Sequence, residues 1–186
     1  LVGGPRKGFH AVALRGGDYW DKFESRQADR IAAWCRQMRA RVVGIDAPCK
    51  WSPSGRAREA ERTLMRQKIW CFSTPTREAA VTHHTNHYGW MLAGEELYAV
   101  LSETHRLLDG RDGDMTGPIM FETFPQAAVC GLLGRVVSAK SKREVRLRLL
   151  QDHGIAVREL TNIDLIDAGL CALTARFVVA GATNRY

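Results

Sequence analysis

Three carboxylates stand at the ends of apolar segments, where a negative charge is costly to bury and useful to chemistry. The run Val42–Ile45 leads into Asp46, a similar run leads into Glu122, and Asp167 lies in an apolar segment among small residues. Clustered carboxylates repel one another unless cations hold them, and hard divalent ions prefer oxygen ligands. We therefore predict that these three residues bind Mg²⁺ or Mn²⁺ and catalyse phosphodiester hydrolysis.

Structural roles for the same carboxylates stay open at this point. Asp46 could simply cap the turn after its strand. Asp167 and Asp164 fall in the first two turns of a predicted helix, where acidic side chains suit the helix dipole. The two are three residues apart and share one face of that helix, so Asp164 is a further predicted metal ligand. Asp167 is the harder one to explain structurally, because a carboxylate among packing residues needs a partner.

The basic side chains indicate which partner the predicted site acts on. The chain has 27 Lys and Arg against 20 Asp and Glu, a net charge of +7, and arginine suits bidentate contact with phosphate. Two clusters are candidates for nucleic-acid binding, although a solvated surface is the alternative for both. They comprise Arg58 and Arg62 on one predicted helix face, and Lys142, Arg143 and Arg146 in a basic stretch that starts at Lys140.

Two other patterns suggest metals only weakly. His83 and His87 are four residues apart, but no glutamate stands at the spacing of a zinc protease helix, so we interpret them as a polar patch. The acidic stretch at residues 109–114 alternates like a calcium loop, yet it lacks the closing glutamate, and we interpret it as a surface loop.

The elements that must position the acids follow from the hydrophobic pattern. A continuous apolar run such as Val42–Ile45 is typical of a strand that is covered on both faces, in the middle of an α/β sheet. Ligands bind at the carboxyl edge of such sheets, which is where Asp46 stands. Ahead of it, three short strands over residues 1–23 predict an antiparallel meander, with a turn that begins at Pro5, and an apolar stripe over 25–40 predicts a helix.

The rest of the chain alternates in the same way. Helices are predicted over 56–67, after the N-cap residue Thr76, and over 92–108 and 127–133, with a strand at 119–124. Asn162 is the predicted N-cap of a last helix from Ile163 to Ala180. That helix is apolar on most sides, so we expect it to be buried.

Composition places the chain among ordinary globular proteins. A length of 186 residues suits one domain over 1–186, and no apolar run approaches the ~20 residues of a membrane span. The five scattered cysteines form no CxxC pair, which favours a reducing compartment. We expect a cytoplasmic protein with no membrane partner, and a homodimer is left open.

Four segments carry a resemblance that runs nearly end to end. They are GxxRKGFHAVAL at the start, VVGIDAP around Asp46, IMFETFP around Glu122, and DLIDAGLCALTA around Asp167. REAER followed by FSTPT, and KSKREVRLRLL, match more weakly. On these segments the chain resembles the predicted nucleases of the domain-of-unknown-function family four-two-nine (DUF429), which have a ribonuclease-H-like fold.

The resemblance implies a fold and a site. In a ribonuclease-H-like fold, a mixed five-stranded sheet begins with an antiparallel meander and is flanked by helices. The metal site of that fold takes acids from the first strand, the central fourth strand and the last helix. Carried over to this chain, the acid of the central strand is Asp46 and the acid of the last helix is Asp167, with Asp164 as a possible helper. Glu122 matches the strand end of the family's ETFP-like segment.

One departure keeps a second function open. The family places an aspartate at the end of the first strand, where this chain has Gly3-Gly4-Pro5, so either that acid is lost or residues near the turn are absent. We expect a metal-dependent nuclease. The alternative is a catalytically inactive nucleic-acid-binding or scaffold protein. A nucleotide-handling protein is a weaker third reading, because no GxxxxGK[ST] loop is present.

Overall fold

A computed structural model describes residues 2–4, 7–108, 115–138 and 141–183. The turn predicted to begin at Pro5, the acidic loop at 109–114 and Lys140 lie outside these residues. The described strands are β1 (Val2–Gly4), β2 (Gly8–Arg15), β3 (Asp18–Ser25), β4 (Val42–Ile45), β5 (Arg106–Leu107) and β6 (Ile119–Glu122). The described helices are α1 (Ala28–Gln37), α2 (Glu59–Arg66), α3 (Arg77–Val81), α4 (Gly89–Leu101), α5 (Pro125–Leu133), α6 (Lys142–Asp152) and α7 (Ile163–Val179).

The fold is mixed α/β, and its strands form two three-stranded sheets. The first has the order β1-β2-β3 and is antiparallel, which confirms the predicted meander. The second has the order β4-β6-β5 and is parallel. The prediction of a single five-stranded sheet is therefore wrong for the described part of the chain.

The first strand is short, and a cavity lies between β2 and β4. β1 is only three residues long and pairs with β2 at Gly8–His10, so the rest of β2 lies beyond its reach. A cavity of about 710 Å³ occupies the space between the far part of β2 and the start of β4. It is lined by Val12 and Leu14 from one sheet and Val42 and Gly44 from the other.

Helices cover both faces of the sheets. One core joins α1 and α4 to β2 and β4 through residues such as Ile31, Leu97 and Ile45. A second core joins α5, α6 and α7 to β2 from the other side, through Leu150, Leu170 and other buried residues. α7 packs against β2 and against β4, so it connects the two sheets. Its burial agrees with its apolar sequence.

Both predicted helix caps are confirmed. The Thr76 hydroxyl accepts a hydrogen bond from the Ala79 amide at 3.2 Å, and the Asn162 side chain accepts one from the Leu165 amide at 2.8 Å. Such caps satisfy amides that the first turn of a helix leaves unpaired. The predicted helix over 92–108 ends early, because α4 stops at Leu101 and β5 follows it. None of the described helices is long and apolar enough to cross a membrane.

α4 approaches the end of β4 at a glycine. A Cβ atom added to Gly94 would lie 2.4 Å from the Cβ of Ala47, the residue after Asp46. The Tyr98 hydroxyl, one turn further along, donates to the Ala47 carbonyl at 3.1 Å. Gly94 therefore allows α4 to pack directly on the segment that carries Asp46.

Gly94→Ala is expected to lower the free energy of unfolding by about 1–3 kcal/mol, because the added methyl group must push α4 away from Ala47. The matched control is Gly131→Ala in α5, where an added Cβ meets no atom within 4 Å. That change should be neutral or stabilising by up to about 1 kcal/mol through helix propensity. Urea denaturation of both variants measures the difference, and equal effects would contradict the close approach.

Candidate functional site

Asp46 stands on the side of β4 that faces α7. Val43 and Ile45 belong to the core on the α1 and α4 side, so alternation along the strand turns Gly44 and Asp46 to the other face. The geometry at Gly44 agrees, because a Cβ there would lie 2.8 Å from the Cys171 carbonyl oxygen of α7.

The same alignment brings Asp167 towards Asp46. Two residues along a strand advance about 7 Å, and four residues back along a helix cover about 6 Å. Moving from Gly44 to Asp46 on β4 therefore corresponds to moving from Cys171 to Asp167 on α7. The two carboxylates therefore share one side of the sheet.

Their proximity changes the titration of Asp46. Burial raises the pKa of the Asp46 carboxyl to about 7, and the negative charge of Asp167 contributes in the same direction. The Arg146 guanidinium opposes the shift without cancelling it. Burial is the main cause of the shift, so the site favours either a proton on Asp46 or a cation beside it.

Asp167 has a cation of its own. Its carboxylate accepts a hydrogen bond from Nη1 of Arg146, a residue of α6 that is only 6 % exposed. Nη2 of Arg146 donates to Oε1 of Gln126 at 2.9 Å, while its Nε has no partner among the described residues. Burial raises the pKa of Asp167 even though Arg146 opposes the shift.

Glu122 lies on the opposite face of the same sheet. It pairs in register with Ile45 in the parallel β4–β6 ladder, so its side chain leaves on the α1 and α4 side. There Arg58 binds both carboxylate oxygens, at 2.5 and 2.8 Å, and the Cys49 amide donates to one of them at 3.0 Å. Glu122 is thus engaged by an arginine and not shared with Asp46.

Glu61 holds Arg58 in that position. It is 4 % exposed and accepts hydrogen bonds from the backbone amide of Arg58 at 2.8 Å and from its Nε at 2.7 Å. Thr74 donates from its amide at 3.2 Å and from its hydroxyl at 2.5 Å. Burial opposes ionisation of Glu61, but these hydrogen bonds lower its pKa overall. The result is a linked network of Glu61, Arg58 and Glu122.

The predicted three-carboxylate metal centre is not assembled. Among the described residues, no group of three or more His, Cys, Asp or Glu side chains is placed to hold a metal ion. Asp164, the predicted helper, pairs with Lys7 at 2.7 Å. Mg²⁺ often uses only one or two carboxylates and completes its shell with water and phosphate. Asp46 and Asp167 fit that smaller donor set.

The predicted nucleic-acid contacts divide into two groups. Arg58 and Arg146 point into the protein and hold Glu122 and Asp167, so neither is a free surface cation. Three others are exposed. Arg62 forms a surface pair with Glu59, Arg143 donates to the Thr161 carbonyl at 3.2 Å, and Lys142 lies at the start of α6.

The sequence analysis missed the residues that hold the acids in place. Gln126 and Glu61 were not predicted, and Arg146 was assigned to phosphate. The sequence pattern could have predicted the roles of two of these residues, Arg146 and Glu61. Arg146, Leu149 and Leu150 recur at i, i+3 and i+4, which places Arg146 on the buried face of α6. Glu61 stands at the third helical position after Arg58, where an acid bonds back to the first amides.

Comparison with known proteins adds one finding. A family model described as "Protein of unknown function (DUF429)" matches residues 3–186, almost the whole chain. No curated protein and no solved structure matches it.

Proposed function

We propose, from the premise that the chain belongs to the DUF429 family, that it is a metal-dependent phosphodiesterase acting on nucleic acid. The observation that carries the proposal is the pair of carboxylates on one side of β4. Asp46 has a pKa of about 7 because it is buried beside Asp167. A carboxylate whose pKa is shifted this far by burial and a neighbouring charge is a functional-site candidate.

The residues of the chain have distinct roles in this proposal. Asp46 and Asp167 would hold Mg²⁺ or Mn²⁺, which when bound would polarise a phosphodiester and lower the pKa of a bound water. Arg146 orients the Asp167 carboxylate, and Gln126 fixes Arg146 in turn. The exposed cations Arg62, Lys142 and Arg143 would bind phosphates on either side of the cleaved bond.

A specific observation favours the second candidate, a nucleic-acid-binding protein without catalytic activity. Glu122 is held by Arg58 on the far face of the sheet, so only two of the three predicted acids lie together. A two-metal clamp needs more ligands than these two carboxylates supply. The experiment below separates the two candidates.

Cleavage of end-labelled oligonucleotides tests the proposal. The substrates are single-stranded and double-stranded RNA and DNA, incubated with Mg²⁺, Mn²⁺ or EDTA. We expect metal-dependent cleavage of at least one substrate, and a decrease of at least about 100-fold for Asp46→Asn, which keeps the shape of the side chain and removes its charge. Asp29→Asn, an exposed acid on α1, is the matched control and should leave cleavage unchanged.

Two other outcomes would contradict the proposal. If the wild-type protein cleaves none of the four substrates with either metal yet binds one of them, the second candidate function is correct. Equal cleavage by the wild type and Asp46→Asn would mean that Asp46 is not part of the site.

A further inference from the structure

The segment Arg66–Phe72 exposes two large aromatic side chains. Trp70 is 75 % exposed and Phe72 is 65 % exposed, the two highest values among the large aromatic residues of the described chain. From Lys68 to Phe72 the chain alternates as an extended segment does, because Ile69 is buried and Cys71 half-buried while Trp70 and Phe72 are exposed. Exposing two large rings on one short segment is costly unless a ligand covers them.

Phe72 is part of a larger set of rings. Its ring centroid lies 6.1 Å from that of His87 and 6.0 Å from that of Trp90. His87 lies 4.7 Å from Tyr88, and His83 lies 5.5 Å from His87. We call this set, together with Trp70, the aromatic platform. Its members are Trp70, Phe72, His83, His84, His87, Tyr88 and Trp90.

The histidine rings of the platform pack against neighbouring side chains. His83 stacks on His84 with 4.7 Å between centroids, and its Nδ1 lies 3.1 Å from the Thr85 hydroxyl. Within the described residues they form no group that could hold a metal ion. Together with Tyr88 they form a cluster of packed aromatic rings.

The platform lies on the α4 face of the sheet, opposite the face that carries Asp46 and Asp167, and approaches the carboxyl end of β4 through α4. Trp90 precedes Gly94 by one helical turn, about 6 Å along the axis, and Gly94 packs on Ala47, the neighbour of Asp46. Trp90 also packs partly against the core formed by α1 and α4, which makes that end of the platform rigid. On the other side, Thr74 connects the Phe72 segment to Glu61.

We propose that the aromatic platform stacks unpaired bases of a single-stranded nucleic acid and leads that strand over the carboxyl end of β4, where Asp46 stands. The inference rests on the proposed function, because it names the substrate class of that site. Exposed aromatic rings bind bases through their π-faces, which a duplex hides between stacked pairs.

Charge favours this occupant over an apolar protein partner. Arg66 and Lys68 are exposed on the same short segment as Trp70 and Phe72, and the chain carries a net charge of +7. Cations next to aromatic rings are the combination that tracks a phosphate backbone while its bases stack.

Binding measured by fluorescence anisotropy in EDTA tests the inference, because no metal-dependent cleavage occurs there. The probes are a single-stranded 12-mer, the same sequence as a duplex, and a 12-mer of abasic sites with the same backbone charge. The variant is the double change Trp70→Ala and Phe72→Ala. The matched control is Trp20→Ala, an aromatic residue of β3 that is 41 % exposed and lies outside the platform, under Arg15.

We expect the double variant to bind the single-stranded 12-mer at least about tenfold more weakly, since each stacked base contributes a severalfold to hundredfold factor. Trp20→Ala should bind as the wild type does. The wild type should prefer the single strand to the duplex and to the abasic 12-mer. Equal affinity of the wild type for the intact and abasic strands, or no loss in the double variant, would overturn the inference.

The two proposals fail in different ways. If the wild type shows no cleavage but the binding differences hold, the platform stands and the catalytic proposal falls. If cleavage depends on Asp46 while the double variant binds and cleaves normally, the catalytic proposal stands and the platform falls.

Discussion

Asp167→Asn is expected to lower the free energy of unfolding by about 3–5 kcal/mol, because it leaves a buried arginine without its counter-charge. Arg146 is 6 % exposed, and its only other side-chain partner in the described chain is the neutral amide oxygen of Gln126. Removing one member of a buried pair costs more than the pair itself contributes. Urea denaturation at neutral pH measures the effect.

A double variant tests this explanation. Replacing both members, with Arg146→Met and Asp167→Leu, removes the charges together and keeps comparable volumes. Such replacements of a buried ion pair are often neutral or stabilising by about 1–4 kcal/mol. The double variant should therefore be more stable than Asp167→Asn. If both unfold equally easily, loss of packing rather than the unpaired charge is responsible.

The stability of the pair bears on function as well. Arg146 pairs with Asp167, so the site gains a further negative charge as Asp46 ionises at a pH of about 7. The double variant, although stable, would lose the second carboxylate of the proposed metal site. We therefore expect it to fold and to lack cleavage, which would separate the catalytic role of Asp167 from its structural one.

The sequence predicted local features well because their causes are local. The caps Thr76 and Asn162 depend on a side chain and an amide three residues away. The strand Val42–Ile45 depends on a short apolar run.

Features that depend on distant segments could not be predicted in the same way. The position of Glu122 on the far face is set by the register between β4 and β6, which no single segment specifies. Its partner Arg58 is 64 residues away in the sequence. The strand order β4-β6-β5 depends on pairing between segments that are far apart in the sequence, and β5 is only two residues long, too short for a periodic signal.

The basic clusters show the same limit. A run of basic residues predicts solvent-exposed side chains, and Lys142 and Arg143 are indeed exposed. Arg146 lies in the same run but turns inward to a carboxylate on another helix. Charge alone does not separate these cases, whereas the helical position of Arg146 next to two buried leucines does.

Asp46→Asn is expected to stabilise the metal-free protein by an amount that grows with pH. The folded-state pKa of about 7 lies above the ordinary value of 3.8, so between these values the folded protein binds more protons than the unfolded chain. Stability contributed by the protonated carboxyl is therefore lost as the pH rises through about 7. Three pKa units correspond to about 4 kcal/mol, an upper value for this group.

The measurement is the difference in unfolding free energy between wild type and Asp46→Asn in EDTA, from pH 4.5 to pH 8.5. Other titrating groups are common to both proteins, so the difference isolates Asp46. It should be small at pH 4.5 and should favour the variant by up to about 4 kcal/mol at pH 8.5. A difference that does not change with pH would show that Asp46 does not titrate in this range.

Adding Mg²⁺ at pH 8.5 connects this behaviour to the proposed function without an activity assay. A ligand that binds only the folded state raises the free energy of unfolding by RT ln(1 + [L]/Kd). The wild type should gain stability with Mg²⁺ concentration, because the ionised Asp46 and Asp167 are then both available. Asp46→Asn should gain little, and Asp29→Asn should respond as the wild type does. A Mg²⁺ effect that is the same in all three proteins would assign it to general ionic strength and would remove the metal from the Asp46 edge.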